Sequence, residues 1–96
     1  MIKVLISYDM RDGQEQECQE FVINKVAPAL AKLGFNVSDV WFTVWGKSPQ
    51  ILSGGEVDDM TEVRRIFLST EWSELVEKLE SLTENLRVRI VPVKDE

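Results

Sequence analysis

The segment from Phe35 to Trp45, FNVSDVWFTVW, constrains the fold more than any other part of the chain. Its apolar residues alternate, and a period of two is typical of a β-strand whose side chains point to opposite faces. One face is expected to carry Val40, Phe42 and Val44, and the other Val37, Asp39, Trp41, Thr43 and Trp45. A helix layer can cover the first face. The two tryptophans of the second face require another cover, which could be a subunit or a ligand.

Composition places the chain among ordinary globular proteins. Of its residues, 44% are apolar and 29% are charged, as in typical soluble domains. A length of 96 residues is enough for a single domain, 1–96, with its own core. The one cysteine, Cys18, excludes an intramolecular disulfide, and the N-terminal MIKVLISYD lacks the apolar core of a signal peptide. No apolar run approaches the ~20 residues that span a bilayer, so we expect a cytoplasmic protein. A net charge of -6 opposes binding to nucleic acid or to anionic membranes.

Hydrophobic periodicity predicts four strands and two helical regions. In chain order these are a strand from Ile2 to Tyr8, a helix from Gln14 to Leu33, the strand from Phe35 to Trp45, a strand from Gln50 to Val57, a helix in two parts from Asp58 to Leu82, and a strand from Leu86 to Val93. Pro28 predicts either a kink in the first helix or a short second helix. Gly54 and Gly55 predict a bulge or a close backbone approach.

The order β-α-β-β-α-β is that of the ferredoxin-like α+β fold. Right-handed crossovers predict a four-stranded antiparallel sheet in the order 4-1-3-2, with both helices on one face. The helix face is expected to hold Ile2, Val4, Ile6, Val40, Phe42, Val44, Val88 and Ile90. The open face is expected to hold Lys3, Leu5, Ser7, Asp39, Trp41, Thr43, Trp45, Arg87, Arg89, Val91 and Val93. Because two tryptophans are too apolar for an exposed sheet, we expect two open faces to pair across a two-fold axis, which makes a homodimer.

In this respect the chain resembles the dimeric α+β barrel superfamily, whose members pair two ferredoxin-like sheets into one barrel. The resemblance rests on the element order, on the long second strand FNVSDVWFTVWG, and on the two-part helix DDMTEVRRIFLSTEWSELVEKLESL that leads into the strand LRVRIVPV. The superfamily includes cofactor-free monooxygenases, haem-handling enzymes and small-molecule isomerases. Its haem-binding branches use an axial histidine, and this sequence has none, so no cofactor is expected. The resemblance implies a pocket between sheet and helices or at the barrel mouth.

Two residues are candidates for catalysis. Asp39 shares a face with the tryptophans, where burial would raise its pKa and make it a general base, unless Lys3, Arg87 or Arg89 pairs with it at the dimer interface. Tyr8 ends the first strand beside a polar turn, where its phenol could donate to a substrate oxygen or simply be half-buried. Ligand-binding or interface roles are predicted for Trp41, Trp45, Thr43, Arg87 and Arg89.

Other chemistry finds less support in the sequence. Cys18 has no histidine partner and lies on the inward stripe of a helix, so core packing is expected. Asp58 and Asp59 suit a helix cap better than a metal site, and no metal site is predicted. An RNA-recognition domain requires aromatics on its central strands and a basic surface, but the strand from Gln50 to Val57 has no aromatic residue and the net charge is negative.

The sequence therefore leaves three hypotheses. In the first, a homodimer binds a small apolar or aromatic molecule, and in the second it is a cofactor-free enzyme, like a monooxygenase or an isomerase. The third is a structural or interaction module. The enzyme hypothesis predicts a cavity of a few hundred Å³ beside Asp39 and Tyr8, because small-molecule sites have about that size. The structural hypothesis predicts no cavity and an Asp39 bound to an arginine or a lysine.

Overall fold

The protein is described by a computed structural model over residues 1–43 and 50–92. Its elements are β1 (Ile2–Met10), α1 (Glu15–Phe21), a π-helical segment (Val22–Val26), α2 (Ala27–Leu33), β2 (Val37–Phe42), β3 (Ile51–Val57), α3 (Met60–Phe67), α4 (Thr70–Leu82) and β4 (Thr83–Pro92). The positions predicted for Val44, Trp45 and Val93 lie outside the described residues. Within the described ranges, no helix has the length and apolarity needed to cross a membrane.

The four strands form one sheet in the order β2-β3-β1-β4. Each neighbouring pair is antiparallel. This is the predicted order 4-1-3-2 counted from the other edge, so the predicted ferredoxin-like topology is confirmed. The strongly apolar face of β1 explains why that strand is central: Val4, Ile6 and Tyr8 are at most 5% exposed, and such a stripe must be covered along its whole length.

The core lies between this face of the sheet and the helices. It includes Cys18 and Leu30 from the first helical run and Leu79 from α4. At one end, the rings of Phe35, Phe67 and Trp72 meet edge to face, with centroids 5.3 Å and 5.1 Å apart. Such aromatic contacts add to the stabilisation that comes from burial alone. Cys18 is completely buried, as its position on the helix stripe predicts.

The first helical run widens where Pro28 would otherwise interrupt it. The Ala27 N–H donates to the carbonyl of Val22, five residues earlier, which is the bonding pattern of a π-helix. A new α-helix then begins at Ala27 and places Pro28 in its first turn, where proline is tolerated because its missing N–H is not needed. Of the two predictions for Pro28, the short second helix is therefore confirmed. Gly34 ends the run with φ 101°, a left-handed conformation that glycine adopts readily.

A bulge in β2 changes one predicted face. Val37 pairs with Gly55 and Asp39 pairs with Gly54, so Ser38 is an extra residue between them. An extra residue shifts the alternation by one position. Val37 therefore lies on the helix face, where it borders the interior with Ile6 and Tyr8, and its predicted place beside Asp39 and Trp41 is wrong.

The helices do not cover the outer edges of their own face. The strand registers place Val40, Phe42, Val88 and Ile90 on the helix side of the sheet, as predicted. Their exposures are nevertheless 53%, 62%, 36% and 42%, so the expectation that they belong to the covered core is wrong. They lie on β2 and β4, the two edge strands, which extend beyond the helix layer.

Glycines of β3 allow the sheet to approach its neighbours closely. A Cβ on Gly55 would lie 2.5 Å from the carbonyl oxygen of Asn36 and 2.7 Å from Cζ of Phe35. Contacts below 3 Å are repulsive for carbon, so only glycine fits above the buried Phe35 ring. The close approach predicted from the Gly54 and Gly55 pair is confirmed.

Both later helices begin at side-chain caps. Asp59 accepts a hydrogen bond from the N–H of Glu62 at 3.0 Å, and Ser69 accepts one from Trp72 at 3.1 Å. Such caps satisfy amides that have no partner inside the helix, and the predicted capping role is confirmed for Asp59. Arg65 bonds across helices, because its guanidinium donates to the carbonyl of Leu33 at 2.5 Å and thereby satisfies the last turn of α2.

The Asp9 carboxylate, at one end of the sheet, links β1 to Gln50, which directly precedes β3, and to Asn85 of β4. Its Oδ1 accepts from the Gln50 N–H at 2.8 Å, and its Oδ2 accepts from the Asn85 side chain at 3.1 Å. The Gln50 side chain in turn accepts from the Met10 N–H at 2.8 Å. These hydrogen bonds to Gln50 and Asn85 lower the pKa of Asp9, because they favour the charged carboxylate.

Asp9 is expected to make folding more stable above about pH 4 than below it. A depressed folded-state pKa gives stability that is present above the unfolded value of about 3.9 and is lost as pH falls through the folded value. The Asp9→Asn variant should therefore be less stable than wild type by about 1 kcal/mol at pH 7, and this difference should shrink between pH 4 and 2. Urea unfolding at several pH values measures the effect. Asp12→Asn, at an exposed site in the next turn, is the control, and equal pH slopes for wild type and Asp9→Asn would contradict the expectation.

Candidate functional site

The face of the sheet opposite the helices is called the open face, and the registers arrange its residues in three rows. The second and third rows run from β2 to β4, and the first runs from β3 to β4. The first row is Glu56, Lys3 and Val91; the second is Asp39, Gly54, Leu5 and Arg89; the third is Trp41, Leu52, Ser7 and Arg87. The structure thus brings Asp39, Trp41, Arg87 and Arg89 onto one surface, as the alternation predicts. Leu52 belongs to it as well, and sequence reasoning missed it because the β3 pattern is weak.

Trp41 is the main apolar feature of the open face. Its side chain is 45% exposed, and the Lys3 ammonium lies 5.7 Å from the centre of its ring, within cation–π range. A Cβ on Gly54 would lie 3.2 Å from Leu5 and 3.6 Å from Trp41. The glycine therefore gives room for side chains of β1 and β2 to meet above β3.

The charged groups of the open face lie apart from one another. Asp39 accepts a hydrogen bond from the Ser38 hydroxyl at 3.3 Å, and no cation among residues 1–43 and 50–92 forms an ion pair with it. Arg87 and Arg89 are exposed on β4, at the opposite edge of the sheet from Asp39. The ion pair predicted for Asp39 does not form within the described part of a single chain.

Thr43, another residue predicted for the site, directly follows β2. The Thr43 N–H donates to the carbonyl of Gln50 at 2.9 Å, so its backbone continues the pairing with the neighbouring strand. Trp45 was predicted beside Trp41, and this position lies outside the described residues.

Tyr8 lies on the other side of the sheet. It is only 5% exposed and borders a cavity of about 30 Å³ between the sheet and the first helical run, together with Ser53 and Leu30. Its hydroxyl makes no hydrogen bond to another residue in the described ranges. Because β1 and its neighbours separate Tyr8 from Asp39 and Trp41, these residues cannot act on the same group of one substrate.

The environment of Tyr8 determines its protonation. Burial, followed by the nearby Cys18, raises the pKa of Tyr8 to about 12, and burial also raises the pKa of the Cys18 thiol. Both effects disfavour the charged form. Near neutral pH, Tyr8 is therefore a hydrogen-bond donor and a poor general base, and Cys18 is a poor nucleophile.

A groove of about 610 Å³ lies at the β4 edge, on the helix side. Trp72, Val76 and Val88 form its apolar wall, while Arg11 and Glu84 form a salt bridge of 3.4 Å at its rim. It contains none of the residues predicted for the site. Within the described residues, the cavity that Tyr8 borders has room for only one or two water molecules, far less than the few hundred Å³ that the enzyme hypothesis requires beside Tyr8.

The chain is similar to known proteins in structure and not detectably in sequence. No family model matches the sequence, and no curated protein matches it. Among solved structures, a putative antibiotic biosynthesis monooxygenase from Deinococcus radiodurans is similar, with a TM-score of 0.79 at 11% identity over 100% of this chain and 95% of the other. A NIPSNAP family protein from Agrobacterium tumefaciens has a TM-score of 0.72 at 22% identity over 98% and 93% of the two chains. A protein from Arabidopsis thaliana has a TM-score of 0.77 at 13% identity over 100% and 98%.

The chain has a ferredoxin-like α+β fold. Matches of this length and TM-score, together with the sheet order β2-β3-β1-β4, establish this fold over the described residues. Identities of 11% to 22% carry the fold alone, because one fold hosts many activities. The function of this chain must therefore be argued from its own open face and cavities.

Proposed function

We propose that the protein is a homodimer in which two open faces pair, and that it binds a small apolar or aromatic molecule against Trp41. The observation that carries the proposal is the position of Trp41, which is 45% exposed on a sheet face without helices. Val91 is 41% exposed on the same face. Apolar side chains of this size on an uncovered sheet are typical of surfaces that bind a partner or a ligand.

A second copy of the chain is the cover that fits best. A sheet face is flat, and an identical sheet can cover it through a two-fold axis without leaving a further uncovered surface. The half-buried Leu5 and Leu52 supply the apolar middle of such an interface, and charged residues lie towards its edges. This arrangement of an apolar centre and a polar rim is usual for protein interfaces.

Trp41 also supports the ligand half of the proposal. Its indole offers a flat surface for stacking, and the Lys3 ammonium 5.7 Å from the ring centre favours a ligand that carries a negative or electron-rich group. A flat aromatic or quinone-like molecule has both properties. Binding is favoured over catalysis because Tyr8 and Asp39 lie on opposite faces of the sheet and because the cavity at Tyr8 measures about 30 Å³.

The variant Trp41→Ala is expected to lose both properties. Wild type should sediment as two chains and show saturable quenching of tryptophan fluorescence when a naphthoquinone is added. Trp41→Ala should sediment as one chain with little saturable quenching, because aromatic residues at the centre of an interface contribute a large share of its binding energy, roughly 2 kcal/mol or more.

The matched control is Ile23→Ala, which removes an apolar side chain that is 68% exposed on the helix layer and should leave the assembly and the quenching unchanged. A monomeric wild type, or a Trp41→Ala variant that remains fully dimeric, would contradict the proposed interface. Linear, non-saturating quenching of wild type would contradict ligand binding alone.

A further inference from the structure

We propose that Asp39 of each chain pairs with Arg89 of the partner subunit, and that Trp41 lies opposite Arg87 of the partner subunit, so that the two-fold axis runs along the strands. This inference rests on the proposed homodimer and specifies its geometry. It depends on two observations: the separation of charge across the open face and the alignment of the rows.

The open face is divided into an acidic half and a basic half. The acidic half is formed by β2 and β3, which carry Asp39 and Glu56, and the basic half by β1 and β4, which carry Lys3, Arg87 and Arg89. None of these five side chains forms an ion pair within residues 1–43 and 50–92. Each half thus has charges that a complementary surface could neutralise.

The rows determine which residues would meet. A two-fold axis parallel to the strands exchanges the β2 edge with the β4 edge and leaves each residue in its own row. Asp39 and Arg89 occupy opposite ends of the second row, and Trp41 and Arg87 occupy opposite ends of the third. Each end of a row therefore faces the other end of the same row in the partner. Packed sheets cross at about 30°, which long arginine side chains can accommodate.

The chemistry of the two contacts is favourable. A carboxylate and a guanidinium can form a bidentate pair, and a guanidinium opposite Trp41 is a favourable neighbour for an indole and for an electron-rich ring bound against it. Glu56 likewise lies in the first row with Lys3, so this second acidic–basic combination has the same geometry. Asp39, Arg89, Glu56 and Lys3 would thus be neutralised on burial, which removes most of the cost of taking them out of water.

The alternative orientation is unfavourable. An axis perpendicular to the strands would place β4 on β4 of the partner subunit, so Arg87 and Arg89 would face a second pair of arginines. Asp39 would likewise lie against the acidic half of the other chain. Like charges brought together at an interface weaken binding strongly, so the charge pattern selects the axis along the strands.

Charge reversal tests the pairing. Arg89→Glu places an acid opposite Asp39 twice in each dimer and is expected to raise the dimer Kd about a hundredfold. Asp39→Arg should have a similar effect. The double variant Asp39→Arg/Arg89→Glu should recover a Kd within about tenfold of wild type, because the pair is restored with its signs exchanged. Recovery must come from contact between chains, since the two positions lie at opposite edges of one sheet. Sedimentation equilibrium measures each Kd.

Lys32→Glu and Glu77→Arg are the controls, because they make the same charge changes at exposed positions of the helix layer and should leave the Kd unchanged. A mixture of the two single variants should form a heterodimer. If wild type is dimeric but Arg89→Glu dimerises as well as wild type, or the double variant dimerises no better than the single variants, the pairing is overturned while the dimer stands. A monomeric wild type would overturn both.

Discussion

Replacing Gly55 with alanine is expected to lower the free energy of unfolding by about 3 kcal/mol, near the upper end of the usual range for overpacking. The added methyl group would lie 2.5 Å from the Asn36 carbonyl oxygen and 2.7 Å and 2.9 Å from two carbons of the Phe35 ring. The Asn36 oxygen belongs to the backbone just before β2, and the Phe35 ring is 1% exposed. Neither can move aside without disturbing the sheet or the core.

Gly54→Ala is the matched control for this prediction. It makes the same change one residue earlier, but its methyl group would point to the open face, 3.2 Å from the flexible end of Leu5. A cost of about 1 kcal/mol or less is expected there, because a side-chain end can shift. Urea denaturation followed by tryptophan fluorescence measures both variants. Equal losses of stability would show that Gly55 is not held by this contact.

Replacing Phe35 with alanine is expected to destabilise the fold still more, by about 3–5 kcal/mol, the usual cost for a buried phenylalanine. The ring is 1% exposed and meets Phe67 edge to face at 5.3 Å. It also lies directly beneath Gly55, so its removal leaves a cavity between β3 and α3. A rigid sheet backbone cannot collapse fully into such a cavity, which adds to the lost burial.

The same denaturation experiment measures this loss. Leu68→Ala, at a position that is 79% exposed, is the control and should change stability by less than about 0.5 kcal/mol. If the two variants were equally stable, Phe35 would not belong to the core as described. The double variant Phe35→Ala/Gly55→Ala should cost less than the sum of its parts, because the cavity accepts the added methyl group.

The fold could be predicted from the sequence because its central strand has an unambiguous pattern. Val4, Ile6 and Tyr8 recur at every second position in β1, and the two helical regions have clear stripes, so the element order and the handedness of the crossovers determine the sheet. The face of Val37 could not be predicted, since a bulge at Ser38 has no local signature in the chain. Tyr8 was expected to be half-buried, and its full burial depends on the packing of the first helical run.

The candidate site was predictable only as a set of residues. Alternation placed Asp39, Trp41, Arg87 and Arg89 on one face, which the registers show. Their rows could not be read from the sequence, because the row of Arg89 relative to Asp39 depends on the alignment of all four strands. The sequence therefore does not determine whether Asp39 lies within reach of Arg87 or Arg89 of its own chain. In the sheet, Asp39 lies at one edge and both arginines lie at the other.

The widened turn at Val22–Val26 determines which helical residues can share the interior. Cys18, Val22, Val26 and Leu30 recur at intervals of four, whereas a regular α-helix rotates such residues by about 40° at each step. Over three steps a regular helix would turn Cys18 well away from the direction of Leu30. The slower rotation of the π-helical turns offsets this drift and keeps all four in line against the sheet. The π-helical turn thus accommodates one extra residue, and deleting Asn24 should leave a regular α-helix in which the same four side chains are spaced i, i+4, i+7 and i+11 and still share one face.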